Sequence, residues 1–156
     1  MKKMINNPDN VIEELMSGYL IAYPEYIRRS ELHKRALIGK KRNDKRKVSI
    51  LIGGGSGHEP AFLGYVGKGM ADGVAVGNIF ASPSPIPIQA VTREINHGHG
   101  VLYIYGNYAG DLMNFEMASE MTEIEDDIVT KAVIGNDDVA SSKDIDDRRG
   151  IAGELL

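Results

Sequence analysis

An apolar strand that runs straight into a glycine turn sets the first limit on what this chain can fold into. The run Val48-Ser49-Ile50-Leu51-Ile52 is followed at once by Gly53-Gly54-Gly55-Ser56-Gly57-His58-Glu59-Pro60. Four glycines in five positions let the backbone approach a small ligand closely and take up positive φ where a turn needs it. One imidazole, His58, is then presented. Open α/β sheets bind their ligands beyond the carboxyl ends of their strands. The feature therefore reads as a small-molecule site at a sheet edge.

The rest of the pattern supports an α/β fold. Pro8 followed by Val11, Ile12, Leu15 and Met16 has helical spacing, with the proline in the first turn. Residues 25–47 are polar, basic and weakly periodic and read as a long connection with one short helix. Beyond Val48–Ile52, strands are predicted at Gly73–Gly77, Val101–Tyr105 and Ile128–Ile134. Helices are expected over 85–96, where Ile88, Val91 and Ile95 share a face, and over 111–123; a short helix is expected within 59–67. Strands alternating with helices of this length imply parallel pairing through right-handed crossovers. The expectation is a three-layer α/β/α domain with a mostly parallel sheet, spanning residues 1–156.

Familiar phosphate and metal motifs fail on this sequence. A Walker loop read back from Gly67-Lys68 has Phe62 where its first glycine belongs, and Gly69 where Ser or Thr should follow. A dinucleotide fingerprint from Gly53 and Gly55 meets His58 at its third glycine. A zinc-protease helix from His58-Glu59 meets Phe62 at its second histidine. His97-Gly98-His99 has no carboxylate near it in sequence and reads as a helix-to-strand turn. Asp137-Asp138 and Asp144-Ile145-Asp146-Asp147 lack the glycine and glutamate of a calcium loop and read as caps or turns. No metal site is expected.

What remains is His58, which can give or take a proton near neutral pH, and a second constellation after the third predicted strand, Tyr105-Gly106-Asn107-Tyr108-Ala109-Gly110-Asp111. Parallel strands put both turns at one sheet edge, with Asp111 in reach of a ligand held by His58. Asp111 also follows Gly110 at a helix start, where a capping carboxylate has a purely structural use of about 1 kcal/mol. Both readings stand on the residues alone. Asn107 and Asn114 are generic loop and helix residues.

Composition narrows the setting. The chain has no cysteine, which excludes disulfides and thiolate metal sites and fits a reducing cytoplasm. No apolar stretch reaches the roughly 18 residues of a membrane span, and no apolar segment follows the N-terminal lysines as in a signal peptide. Cytoplasmic location with no membrane partner is the expectation. Basic residues crowd Lys34–Lys47, but no aromatic side chain lies between Ile38 and Ile50 to stack bases. A solvated loop or a docking face for an acidic protein is expected there, not a nucleic-acid site. The stretch Arg148–Leu156 looks like the first turns of a helix ending in apolar residues, so the chain is expected to be part of a longer one.

Taken in order, the glycine-histidine turn, Gly64-Tyr65-Val66-Gly67-x-Gly69-Met70, Phe80-x-Ser82-Pro83, Asn107-Tyr108-x-Gly110-Asp111-x-x-Asn114-Phe115-Glu116, Asp137-Asp138-Val139-Ala140 and Arg148-Arg149-Gly150-x-Ala152-Gly153 resemble the substrate-binding (K) subunit of dihydroxyacetone kinases, in its N-terminal part. The resemblance implies that this chain binds a short ketose. A separate nucleotide-bearing L subunit would carry ATP or ADP with Mg, so no cofactor is bound directly; in some members a phosphotransferase-system phosphocarrier restores the nucleotide. A homodimer is implied as well. Residue by residue, Gly54, Gly55, Ser56, Gly57, His58, Gly106 and Asp111 would surround the substrate. Asp111 would act as general base on the hydroxyl that receives the phosphoryl group, assisted by His58.

There are two departures from the family pattern. Members of the family attach the carbonyl carbon to a histidine beyond the matched region, and none of His33, His97 or His99 matches it. Phosphoryl transfer is therefore not expected of these 156 residues alone. Many members also have lysine before Asn-Tyr, where this chain has Gly106, a form resembling the branch with tetrulose (erythrulose) kinases. Some relatives are ketose sensors that dock a transcription regulator. Retention of both His58 and Asp111 favours a kinase over a sensor, which needs no general base.

Overall fold

Alternation of side-chain direction along the central strands splits the protein into two cores with a sheet between them. The computed structural model describes residues 4–40, 47–151 and 153. Six strands, β1 (Ile27–Arg29), β2 (Ala36–Gly39), β3 (Ser49–Ser56), β4 (Gly73–Ile79), β5 (Val101–Gly106) and β6 (Thr130–Gly135), lie in the order β1-β2-β4-β3-β5-β6. Leu51 of β3, Ile38 of β2 and Ala75 of β4 face one core with Ile88, Val91 and Ile95 of helix α2 (Pro85–Ile95) and Phe115 of helix α3 (Ala109–Asp126). Their sequence neighbours Ile52, Leu37 and Val74 face the other core with Ile12 and Met16 of helix α1 (Val11–Ala22). A period of two in the strands thus feeds helices on both faces. The three-layer α/β/α architecture is the one expected.

The strands from β3 onward pair in parallel: β3 with β4, β3 with β5, and β5 with β6. Helix α2 and helix α3 make the crossovers from β4 to β5 and from β5 to β6. The first two strands are antiparallel additions, β1 to β2 and β2 to β4. They correct the reading of residues 25–47 as a helix-bearing connection. Ala36-Leu37-Ile38-Gly39 is buried throughout, so it carries no alternation to read. In β1 the arginines are held by acids from other elements, Arg28 by Glu94 at 2.8 Å and Arg29 by Glu13 at 3.4 Å.

The described part of the basic stretch is similarly engaged. Arg35 meets Glu13 at 2.9 Å and Lys47 meets Asp72 at 2.7 Å; Lys41, Arg42, Lys45 and Arg46 lie outside the described residues. Arg148–Ile151 form no helix, contrary to the expected helical start, and Ala152 and Glu154–Leu156 lie outside the described residues. No helix among the described residues is long and apolar enough to cross a membrane.

Leu51 is fully buried at the middle of β3, between α2 and its neighbour strands. Replacing Leu51 by Ala should lower unfolding stability by about 2–5 kcal/mol, read as a shift of the urea midpoint at unchanged slope.

Candidate functional site

Strand β3 does not stop at Ile52. It continues through the glycines to Ser56, and packing explains why glycine is required there. A Cβ on Gly54 would fall 2.1 Å from a carbon of the Phe62 ring, and one on Gly55 would fall 2.8 Å from the Ala81 amide nitrogen. Within this turn only Gly57, at φ 105°, has the positive φ that favours glycine. The following loop holds cis peptides at Glu59–Pro60 and Ala61–Phe62. Helix α3 begins at the corresponding end of β5, only two residues beyond the strand.

Between these two turns lies a cavity of about 880 Å³. Gly55, His58, Gly106 and Asp111 line it, so four of the residues singled out from the sequence share one space. Gly54, Ser56 and Gly57 do not line it. Gly54 lies under the Phe62 ring. The Ser56 hydroxyl is buried and donates to the Gly77 carbonyl at 2.9 Å, and the Gly57 amide donates to the Glu59 carboxylate at 3.0 Å. These three shape the turn from behind.

His58 sits at the mouth with its ring exposed, edge-on to Phe62 at 5.6 Å and 5.9 Å from Phe80 between centroids. Its Nδ1 lies 3.2 Å from the Ala61 carbonyl. A carbonyl only accepts, so Nδ1 carries the hydrogen and Nε2 is left as an acceptor for a ligand.

Asp111 is the third residue of α3, whose N-cap is Tyr108. It is therefore not the cap that its place after Gly110 suggested, although a carboxylate in the first turn is still favoured by the helix dipole. The side chain is buried, and Oδ1 has no hydrogen-bond partner. Burial pushes the carboxyl above its ordinary value, while the neighbouring Ser82 hydroxyl and the His58 imidazole pull the other way. The residue lines the cavity while Oδ1 itself is closed off from solvent, and a buried carboxylate short of hydrogen bonds at a cavity wall is chemically suited to accept a proton.

Sequence reasoning missed other parts of the wall. Phe62, Tyr65 and Phe80 give it apolar surface, and Ser82 and Asn114 give it polar groups. Asn114 lies one turn after Asp111 on α3, though its residue type alone gave no reason to single it out. Gly98 turns the chain between α2 and β5 at φ 88°, so His97 and His99 stand at the opposite edge of the sheet. Among the described residues, no group of three or more histidine or carboxylate side chains converges as metal ligands would.

Asp111 should destabilise the protein that contains it. A raised folded value means the native state holds this proton more tightly than the unfolded chain. The associated stability is present below the ordinary 3.8 and is lost as pH rises through the folded value. Asp111→Asn should therefore raise Tm near pH 7, by about 2–4 °C per kcal/mol recovered. The gain should shrink as pH falls toward 4, and a Tm difference that is flat with pH would refute the assignment.

Comparison with known proteins bears on this geometry. The Dak1 domain family matches residues 17–156. The dihydroxyacetone-binding subunit DhaK of PTS-dependent dihydroxyacetone kinase 2 from Listeria innocua is 45% identical over 156 residues, covering 100% of this chain and 47% of that protein. Among solved structures, the dihydroxyacetone kinase from C. freundii in complex with AMP-PNP and Mg2+ superimposes with a TM-score of 0.90 at 31% identity, over 99% of this chain and 29% of the other. A dihydroxyacetone kinase operon co-activator, Dha-DhaQ, superimposes with a TM-score of 0.80 at 33% identity, over 92% and 43%. The chain spans about half the length of the curated DhaK relative it matches.

Proposed function

This chain belongs to the Dak1 domain family, and on that premise we propose that it is the ketose-binding part of a dihydroxyacetone-type kinase. The observation that carries the reading is the buried, under-coordinated carboxylate of Asp111 in the wall of the same cavity as His58 and Gly55. A short ketose would enter the cavity and donate a hydrogen bond to Nε2 of the exposed imidazole. Asp111 would receive the proton of the substrate hydroxyl as its oxygen attacks phosphorus. The new bond is oxygen to phosphorus; the bond that breaks joins phosphorus to the donor, which leaves with its electron pair.

The donor nucleotide and its Mg would sit on a partner L subunit, itself replenished by ATP or by a phosphotransferase-system carrier, and the functional unit would be a homodimer. With no covalent chemistry by Asp111, positioning would supply most of the acceleration. Gly106 brings no side chain to the cavity wall it forms, which leaves room for a tetrulose such as erythrulose beside dihydroxyacetone.

Likeness to a co-activator supports a second reading, a ketose sensor. The two separate on Asp111. With the nucleotide-bearing partner present, Asp111→Asn should cut product formation by about 10²–10⁴-fold and change ketose affinity little, whereas His58→Ala should weaken affinity. Unchanged turnover in Asp111→Asn would overturn the catalytic role. A wild-type protein that binds ketose but yields no ketose phosphate with any such partner would favour the sensor.

A further inference from the structure

Residues 136–150 form neither helix nor strand, and Gly150 alone among them is buried. Val139 is 74% exposed and Ile145 56%, so apolar packing does not hold this segment in place. Its carbonyls still need partners, and neutral side chains at the carboxyl ends of β5 and β6 supply several. Asn136 donates to Ile145 O at 3.1 Å, and Tyr108 Oη donates to Gly150 O at 3.0 Å. Asn107 Nδ2 donates twice, to Asp146 O at 2.9 Å and to Arg148 O at 2.8 Å. The Asp137 carboxylate accepts from the amides of Ile151 and Gly153, each at 2.9 Å. The Arg149 guanidinium lies 5.8 Å from the centroid of the Tyr108 ring.

The tethered segment ends at the cavity, whose lining includes Gly150 and Ile151. We infer that Asn107 is a positioning residue for the ketose site: its amide, with the Tyr108 hydroxyl, pins residues 146–150 so that Gly150 and Ile151 form a wall of the cavity. The inference rests on the reading of that cavity as the ketose site. The chemistry at position 107 is narrow. One amide nitrogen has two hydrogens, and both are used on carbonyls two residues apart. An aspartate of the same shape would turn an oxygen toward those carbonyls. The adjacent Tyr108 occupies the N-cap position of α3 without a side-chain capping bond, so the dipeptide that tethers this wall lies directly before the helix that carries Asp111.

The test uses the full-length protein. Dihydroxyacetone binding is measured by calorimetry for wild type, Asn107→Ala, Asn107→Asp and Tyr108→Phe, with amide hydrogen exchange at Ile151 and Tyr103. The inference expects Asn107→Asp to bind about tenfold more weakly, at least as large a loss as in Asn107→Ala, and Tyr108→Phe about threefold more weakly. Ile151 should exchange faster while Tyr103, inside β5, keeps its protection. With the nucleotide-bearing partner, KM should rise while kcat stays within about twofold.

Wild-type affinity in Asn107→Asp would mean that shape alone matters there, and would overturn the inference. So would faster exchange at Ile151 without loss of affinity. Should Asn107→Asp fail to fold, Tyr108→Phe decides by the same two readouts. A wild type that binds no short ketose would remove the parent reading and this one with it. Equal binding by wild type and all three donor-deficient variants would remove this one only.

Discussion

The structure depends on places where nothing larger than hydrogen fits between β3 and what packs on it. A Cβ at Gly77 would lie 2.0 Å from Ala81 O and 2.8 Å from Gly54 O, and one at Gly54 would enter the Phe62 ring. With hydrogen at both positions, the turn after β4 folds back onto the strand ends, and Ser56 locks it by donating to Gly77 O. Phe80 closes the same contact through its amide, which donates to Ser56 O at 2.8 Å, although its own φ of 50° is unusual for an aromatic residue. The glycine run is thus a packing requirement before it is a ligand site. The cavity exists because two strand ends and two turns can approach this closely.

That constraint reaches Asp111 through one ring. Phe115 stacks on Tyr105 with centroids 4.2 Å apart and an interplanar angle of 16°. Its Cζ would lie 3.1 Å from a Cβ on Gly53, so the ring is seated against the part of β3 that carries no side chains. Phe115 fixes the rotation of α3, and Asp111, four residues earlier, lies on the same helical face. Burial of the carboxylate is therefore a consequence of how the helix packs. Tyr105 registers the same crowding: burial raises its hydroxyl above the ordinary tyrosine value, and the negative charges of Glu116 and Asp111 add to it.

Much of this was legible in the sequence. The apolar runs 48–52 and 101–105 are strands, Ile88, Val91 and Ile95 share the buried face of α2, and parallel order alone put the turns of His58 and Asp111 at one edge. What stayed hidden had physical reasons. Strand β2 is buried on both faces and so has no period, and β1 hides in a basic stretch because its arginines find Glu94 and Glu13, far away in sequence. The strand β3 runs four residues past its apolar part because glycine is needed there for packing rather than for turning. The tethering role of Asn107 could not be read, since its partners lie about forty residues on, in a segment without periodicity.

The two buried aspartates are accommodated by the fold in different ways. Asp72 and Asp111 are each 8% exposed. Asp72 accepts from Lys47 Nζ at 2.7 Å and from the Ile50 amide at 2.8 Å, tying the start of β3 to the segment before β4. Its charge is matched, and it sits at the edge of the sheet away from the cavity. Asp111, at the cavity edge, has no hydrogen-bond partner at Oδ1. A buried charge is tolerated when it is paired and hydrogen-bonded, and is expensive otherwise. The same residue type at the same burial is therefore quenched at one edge of the sheet and left under-coordinated at the other. Packing alone gives no reason to keep an unmatched carboxylate there, since a neutral side chain would cost less.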